Sequence, residues 1–276
     1  MHFHRPRRKQ SLAPFLPVGT TMSDEEYSDW YNDHAWSPCR YPGLTIESDL
    51  TPAEWLEPLL VPRSFEVAMT APLGYGAYAR IHFPFVRTGI DDAGEWYERH
   101  VTWTDMAREN GKRVHALMER ETITWSPAGE DANDRCARNL TPEQFAALTP
   151  ILTQHTSSAN GWFLLWDGFG DLNENIFNPK VPKVDHDMRD FYLLRGPLHS
   201  YAHFSNDPSY WWPDDRAWCV CTDTDFAWSY LAGKRECVDE VLELPIMDAV
   251  ETRPEDPARS GMDIVNDPES RVPRSP

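Results

Sequence analysis

The run Ala217-Trp218-Cys219-Val220-Cys221-Thr222 decides how this chain is read. It is short, almost wholly apolar, and bounded by Asp214-Asp215-Arg216 on one side and Asp223 on the other. A run of this form predicts a strand buried on both faces, because a strand with one wet face would alternate apolar and polar residues. Trp162-Phe163-Leu164-Leu165-Trp166 and Phe191-Tyr192-Leu193-Leu194 have the same character, and Tyr78-Ala79-Arg80-Ile81-His82-Phe83 adds a fourth strand signal. Strands and helices alternate too irregularly for a doubly wound fold. The expected fold class is therefore α+β, a single domain with a mixed or antiparallel sheet flanked by helices.

Helix starts are marked by side chains that cap free backbone N–H groups. In Leu140-Thr141-Pro142-Glu143-Gln144-Phe145, Thr141 suits the N-cap, Pro142 the first helical position and Gln144 the capping box, which predicts a helix from about 142. Pro150 then kinks or restarts it. Leu50-Thr51-Pro52-Ala53-Glu54-Trp55 repeats the device, with Leu50 and Trp55 spaced as a hydrophobic staple. Thr102-Trp103-Thr104-Asp105 predicts a third capped helix. After Gly233, Cys237, Val238, Val241 and Leu242 fall on one helical stripe.

Composition bounds the rest. The 276 residues suffice for one large domain, and no apolar run approaches the length of a membrane span. With 26 Lys plus Arg against 44 Asp plus Glu, the net charge of −18 repels a phosphate backbone and makes nucleic acid an improbable ligand. Residues 1–21 hold Arg5, Arg7, Arg8 and Lys9, no acid and no secretory apolar stretch, and read as a disordered basic extension; Met22 is an alternative start. Residues 22–252 read as the globular domain. Residues 253–276, with five prolines, read as an extended acidic, Pro-rich tail. Five scattered cysteines (Cys39, Cys136, Cys219, Cys221, Cys237) do not form a disulfide framework, so reduced thiols and a cytoplasmic location are expected.

Phosphate-binding, dinucleotide, Gly-x-Ser-x-Gly and His-Glu-x-x-His signatures are absent. His199 and His203 at i, i+4 could share a helical face and hold a metal, but no third ligand can be named. Cys219 and Cys221 point to one face of a strand and read as small buried hydrophobes in preference to a zinc half-site. The oxygen-rich run from Asp171 to Asn175 breaks the calcium-loop pattern at Ile176 and Pro182. Arg80 and His82 share a strand face. No cofactor and no metal site is expected.

The strongest constellation is Tyr210-Trp211-Trp212-Pro213-Asp214-Asp215-Arg216, followed by Asp223 and Asp225. In one reading Trp211 or Trp212 caps the core while Asp214 or Asp215 pairs with Arg216 to hold the turn. In the other, the indoles are a platform for a partner and the carboxylates bind a cation or do acid/base work. The candidate binding residues are Trp211, Trp212, Asp214, Asp215 and Arg216.

The stretch Trp211-Trp212-Pro213-Asp214-Asp215-Arg216-Ala217-Trp218, with Tyr230 and Gly233, resembles an uncharacterised family of actinobacterial-type hypothetical proteins. Trp166-Asp167-Gly168-Phe169-Gly170 and Leu193-Leu194-Arg195-Gly196-Pro197-Leu198 are similar to that family too. Ser229-Tyr230-Leu231-Ala232-Gly233 departs from its usual Thr-Tyr-Val-Gly-Gly. The resemblance implies no activity; a fainter similarity, of style alone, is to SUKH-type immunity proteins. The expected function is a non-enzymatic, protein-binding module with a basic partner. A hydrolase using Asp214, Asp215, Asp223 or Asp225 with His199 or His203 is the alternative, and a carbohydrate-binding module a third.

Overall fold

A strand whose successive side chains are all large and apolar needs a hydrophobic layer on each face, and that requirement organises this molecule. The computed structural model describes residues 41, 43–124, 135–169, 181–186, 189–204 and 206–266. Contacts divide the chain into Met1–Ser37, which lies outside the described residues, and Pro38–Pro276.

The strands are β1 Thr45–Ile46, β2 Ala77–His82, β3 Phe85–Ile90, β4 Trp96–Val101, β5 Arg135–Cys136, β6 Asn160–Trp166, β7 Val184–His186, β8 Arg189–Pro197, β9 Tyr210–Pro213, β10 Trp218–Thr222, β11 Trp228–Gly233 and β12 Ala249–Thr252. The helices are α1 Trp103–Glu109, α2 Arg120–Thr124, α3 Pro142–Gln154 and α4 Arg235–Leu242. Nine strands form the main sheet in the order β1-β8-β6-β9-β10-β11-β2-β12, with β7 also on β8; β4-β3-β5 form a smaller one. Every pairing is antiparallel, so the α+β class stands, with the sheet antiparallel.

Alternation along each central strand sends residues to opposite layers. Phe163, Leu165, Trp211, Trp218 and Val220 enter the layer shared with α3 and α4. Leu164, Trp212, Cys219 and Cys221 enter the layer covered by short 3₁₀ turns around Ala53, Leu56 and Val67. A third core, with Phe85, Trp103, Met106 and Ile123, lies under the small sheet.

The capping box at α3 is present in both directions: Gln144 N–H donates to Thr141 Oγ1 at 3.2 Å, and Thr141 N–H donates to Gln144 Oε1 at 3.1 Å. Thr102 Oγ1 likewise accepts from Asp105 N–H at 2.9 Å. Pro150 sits inside α3, which continues to Gln154. The Thr51 expectation is corrected. Thr51 lies inside a 3₁₀ turn, Thr51–Ala53, whose N-cap is Leu50, and its own N–H is taken by Asp49 Oδ1. Pro58, at the start of the next 3₁₀ turn, has no N–H to extend an α-helix through this segment.

Beyond Thr252, expected to start the extended tail, residues 253–266 stay packed on the body. Ala258 is buried and its N–H donates to Phe65 O. Asp263 is fully buried; it accepts from Glu119 N–H and the Thr122 hydroxyl and pairs with His115 at 2.8 Å. The basic extension, Cys39, the Asp171–Asn175 run and residues 267–276 lie outside the described residues.

Trp211→Ala should cost about 3–5 kcal/mol of stability, the range for emptying a buried aromatic site. Thr141→Ala should cost about 1 kcal/mol through the lost cap. Urea denaturation reads both, and a Trp211→Ala loss under about 1 kcal/mol would contradict its enclosure.

Candidate functional site

The constellation at 210–216 is part of the core and its turn. Tyr210–Pro213 is a central strand, paired with β6 on one side and β10 on the other, and the hydrophobic layers above and below the sheet cover its side chains. Trp211 is 0% exposed and lies against Phe163, Tyr201 and Trp218, with ring centroids 6.0, 4.8 and 4.8 Å away. Trp212, 1% exposed, meets Trp55 edge-on. The exposed-platform expectation is thereby corrected: two adjacent indoles on a central strand go to the two buried layers.

The carboxylates at this turn are occupied. Asp215 accepts from the Thr156 hydroxyl (2.7 Å), from Ser157 N–H and hydroxyl (both 2.8 Å) and from Ala217 N–H (3.2 Å). Burial works to raise its pKa, but these bonds outweigh it and hold the carboxyl below its ordinary value. Asp214 takes Arg195 and the Ser158 hydroxyl, each at 3.1 Å. Arg216 does not pair with either aspartate; its guanidinium lies 5.1 Å from the Trp55 ring. Asp223 and Asp225 both hold Arg189, at 2.9 and 2.8 Å, at the far end of β10, about 20 Å away by strand rise.

His199 is exposed on a 3₁₀ helix, where residues four apart do not share a face; the His203 side chain lies outside the described residues. Among the described residues, no three His, Cys, Asp or Glu converge as a metal cluster. The Cys219 and Cys221 thiols lie 3.5 Å apart and fully buried, and burial raises the Cys221 pKa well above the ordinary thiol value. Both therefore act as apolar filling.

Two surfaces carry unsatisfied chemistry. The first is the β3–β4 hairpin, which the strand signals above did not include. Asp91 Oδ1 accepts from Ala93 and Glu95 N–H, both at 2.9 Å, and Gly94 adopts φ +82°, closing the turn. Tyr97 lies over Gly89, where a Cβ would meet its ring at 2.9 Å, covering one face of the hairpin. On the other face the cross-strand pair Ile90 and Trp96 stands 72% and 66% exposed. Around this pair residues 90–96 hold Asp91, Asp92 and Glu95 and no Lys or Arg; Glu98, further along β4, lies 3.9 Å from Arg135. β4 is also the edge strand of its sheet. The signal was present: Ile90, the Asp91-Asp92-Ala93-Gly94 turn, then Trp96-Tyr97.

The second surface is a cleft of about 1250 Å³ between the small sheet and the β10–β11 end of the main sheet. One wall holds Asp207, 6% exposed, whose Oδ2 accepts from Leu140 N–H at 2.9 Å. Burial pushes its pKa up to about 7, against the opposing pull of the Leu140 N–H and of Tyr201. Behind the opposite wall, Arg80 and His82 are brought together as their shared strand face predicts. Trp103 stacks on His82 at 4.5 Å, and the Arg80 guanidinium lies 3.5 Å from the Trp228 ring. His82 Nδ1 lies 2.6 Å from Asp248 O; burial and then the Arg80 charge push its pKa well down, so the neutral ring donates that proton.

Compared with family models, curated proteins and solved structures, the chain matches none. No described helix is long and apolar enough to cross a membrane.

Asp207 sets a pH dependence of stability. Its folded pKa, about 7, lies above the ordinary carboxylate value of 3.8, so its contribution is complete below about pH 4 and is lost as the pH rises to 7. Asp207→Asn removes this dependence. Its stability relative to the natural chain should rise by up to about 1.4 kcal/mol per pH unit between pH 4 and 7 and level off above. Urea titrations across that range test it; parallel curves would contradict the buried, protonated carboxyl.

Proposed function

We propose that this protein is a non-enzymatic binding module that holds a basic protein partner on the outer face of the β3–β4 hairpin. The observation that carries the reading is Trp96, a large indole 66% exposed beside Ile90 at a tip, residues 90–96, that holds Asp91, Asp92 and Glu95 and no Lys or Arg. Aromatic side chains dominate interface energetics when a partner buries them, and flanking like charges steer the encounter and set its sign. The edge position of β4 adds backbone N–H and C=O groups that an extended segment of the partner can pair. The net charge of −18 favours a basic partner over the whole surface. A toxin domain neutralised in the manner of an immunity protein fits this chemistry.

The hydrolase alternative finds no assembled site among the described residues. Its four aspartates are taken by Thr156, Ser157, Arg195 and Arg189 at two ends of one strand.

An extended peptide of alternating Lys and Val is the probe, read by calorimetry against the full chain. Binding should weaken steeply from about 50 to about 500 mM salt. Trp96→Ala should weaken it by about 2 kcal/mol or more, roughly thirtyfold, while changing stability by less than about 0.5 kcal/mol, because the side chain packs on little. Equal affinity in Trp96→Ala, or binding indifferent to salt, refutes the hairpin as the docking face.

A further inference from the structure

Within a chain of net charge −18, the cleft is lined by four arginines, Arg120, Arg135, Arg138 and Arg259, against four acids, Glu119, Glu121, Asp207 and Asp225. Arg138 and Arg259 line it, and neither guanidinium has an acidic, carbonyl or ring partner among the described residues. Three of its acids are engaged elsewhere, Glu119 accepting from Gly261 and Met262 N–H, Glu121 pairing with Arg120 and Asp225 pairing with Arg189; the fourth, Asp207, accepts from Leu140 N–H, and burial pushes its pKa up to about 7, so it is only partly ionised at neutral pH. Behind the wall, Arg80 is 4% exposed and has no carboxylate in hydrogen-bond contact; its Nη1 and Nη2 donate to Ala116 O and Met118 O. Burial lowers its pKa to about 10, which leaves it charged at neutral pH.

That buried cation begins a stack. The Arg80 guanidinium lies 3.5 Å from the Trp228 ring, and Phe226 stacks on the same ring at 4.6 Å with an interplanar angle of 11°. Two groups this close to a flat ring occupy its opposite faces. Phe226 therefore ends the stack, half-exposed, where it lines the cleft beside Trp228. A planar ring can extend the stack on Phe226 by offset stacking. Arg80 behind it disfavours a second cation and favours a negative ligand. Guanidinium groups recognise phosphate oxygens bidentately, and free ones supply that contact without first breaking an ion pair. The volume of about 1250 Å³ exceeds what a single ring fills and suits a molecule of nucleotide size.

We propose that the cleft is a binding site for a planar aromatic phosphate of nucleotide size, its ring stacked on Phe226 and its phosphate held by Arg138 and Arg259. This site is separate from the hairpin face and does not depend on it.

The test is calorimetric titration of the full chain with purine and pyrimidine nucleoside monophosphates, alongside adenosine and ribose 5-phosphate as fragments. At least one monophosphate should bind about tenfold or more tighter than either fragment. Arg138→Gln combined with Arg259→Gln should cost about tenfold for that monophosphate and leave adenosine unchanged. Both arginines are exposed, so this variant keeps the fold. Phe226→Leu should weaken the monophosphate and adenosine and leave ribose 5-phosphate unchanged. Monophosphates that bind no tighter than their fragments, or an Arg138/Arg259 variant that binds as the natural chain does, would overturn the proposal.

Discussion

The burial of β9 on both faces of the sheet, at a central position between β6 and β10, is the constraint on which the rest depends. Because successive residues of a strand face opposite ways, Trp211 and Trp212 serve two hydrophobic layers from one strand and tie them to one register. A slip by one residue would move each indole into the pocket of the other. Trp211 meets Phe163 and Trp218 on neighbouring strands, so the aromatic contacts cross the sheet in the direction of its hydrogen bonds. Trp218 Nε1 then donates to Leu152 O, fixing α3 over the same layer and satisfying an indole N–H that burial would otherwise strand.

The small sheet is joined to this frame through polar groups as well as packing. Asp248, in the left-handed region with φ +44°, accepts from Trp103 N–H and from the Thr104 hydroxyl, so the residue before β12 caps α1 from 145 positions away. Trp103 passes the connection inward, donating its indole N–H to Phe83 O and stacking on His82. Helix α1 is thus held at its start, and Arg87 of β3 reaches Glu109 near its end. These contacts fasten the base of the β3–β4 hairpin, and among the described residues no other element pairs with its tip. An exposed indole at a rigidly based tip loses little conformational freedom on binding, which is the property an interface anchor needs.

The parts of the fold that were legible in the sequence are those governed by local pattern. Trp162–Trp166, Phe191–Leu194 and Ala217–Thr222 are central strands because nothing but two apolar layers accommodates such runs. Thr141 and Gln144 announce α3 because a capping box is a contact between residues three apart. What failed depended on distant partners. Tyr210-Trp211-Trp212-Pro213 reads equally as an exposed platform or a core strand until the pairing with β6 and β10 is known. Asp215 resembles a site carboxylate until Thr156 and Ser157, nearly sixty residues away, are found donating to it. Residues 253–266 look like a tail because their anchor, Asp263, is satisfied by His115 and Thr122, which no local pattern connects to it.

Net charge deserves the same separation of scales. A charge of −18 opposes a polyanion laid across the surface, since such a ligand meets many acids at once. It does not decide the field inside a cleft. At physiological salt, exposed charges farther apart than about 8 Å are largely screened, so the potential at a given wall is set by the few groups beside it. There Arg120 and Arg189 offset Glu121 and Asp225, Asp207 is only partly ionised, and Arg80 sits in a low-dielectric layer where its charge is screened less than that of a surface carboxylate. The hairpin tip shows the opposite case: residues 90–96 hold Asp91, Asp92 and Glu95 and no Lys or Arg, the arginines Arg87 and Arg99 standing further down the two strands. A face favouring positive partners and a cleft favouring negative ligands are therefore compatible in one chain, because each would be governed by neighbours within a few ångströms and not by the total.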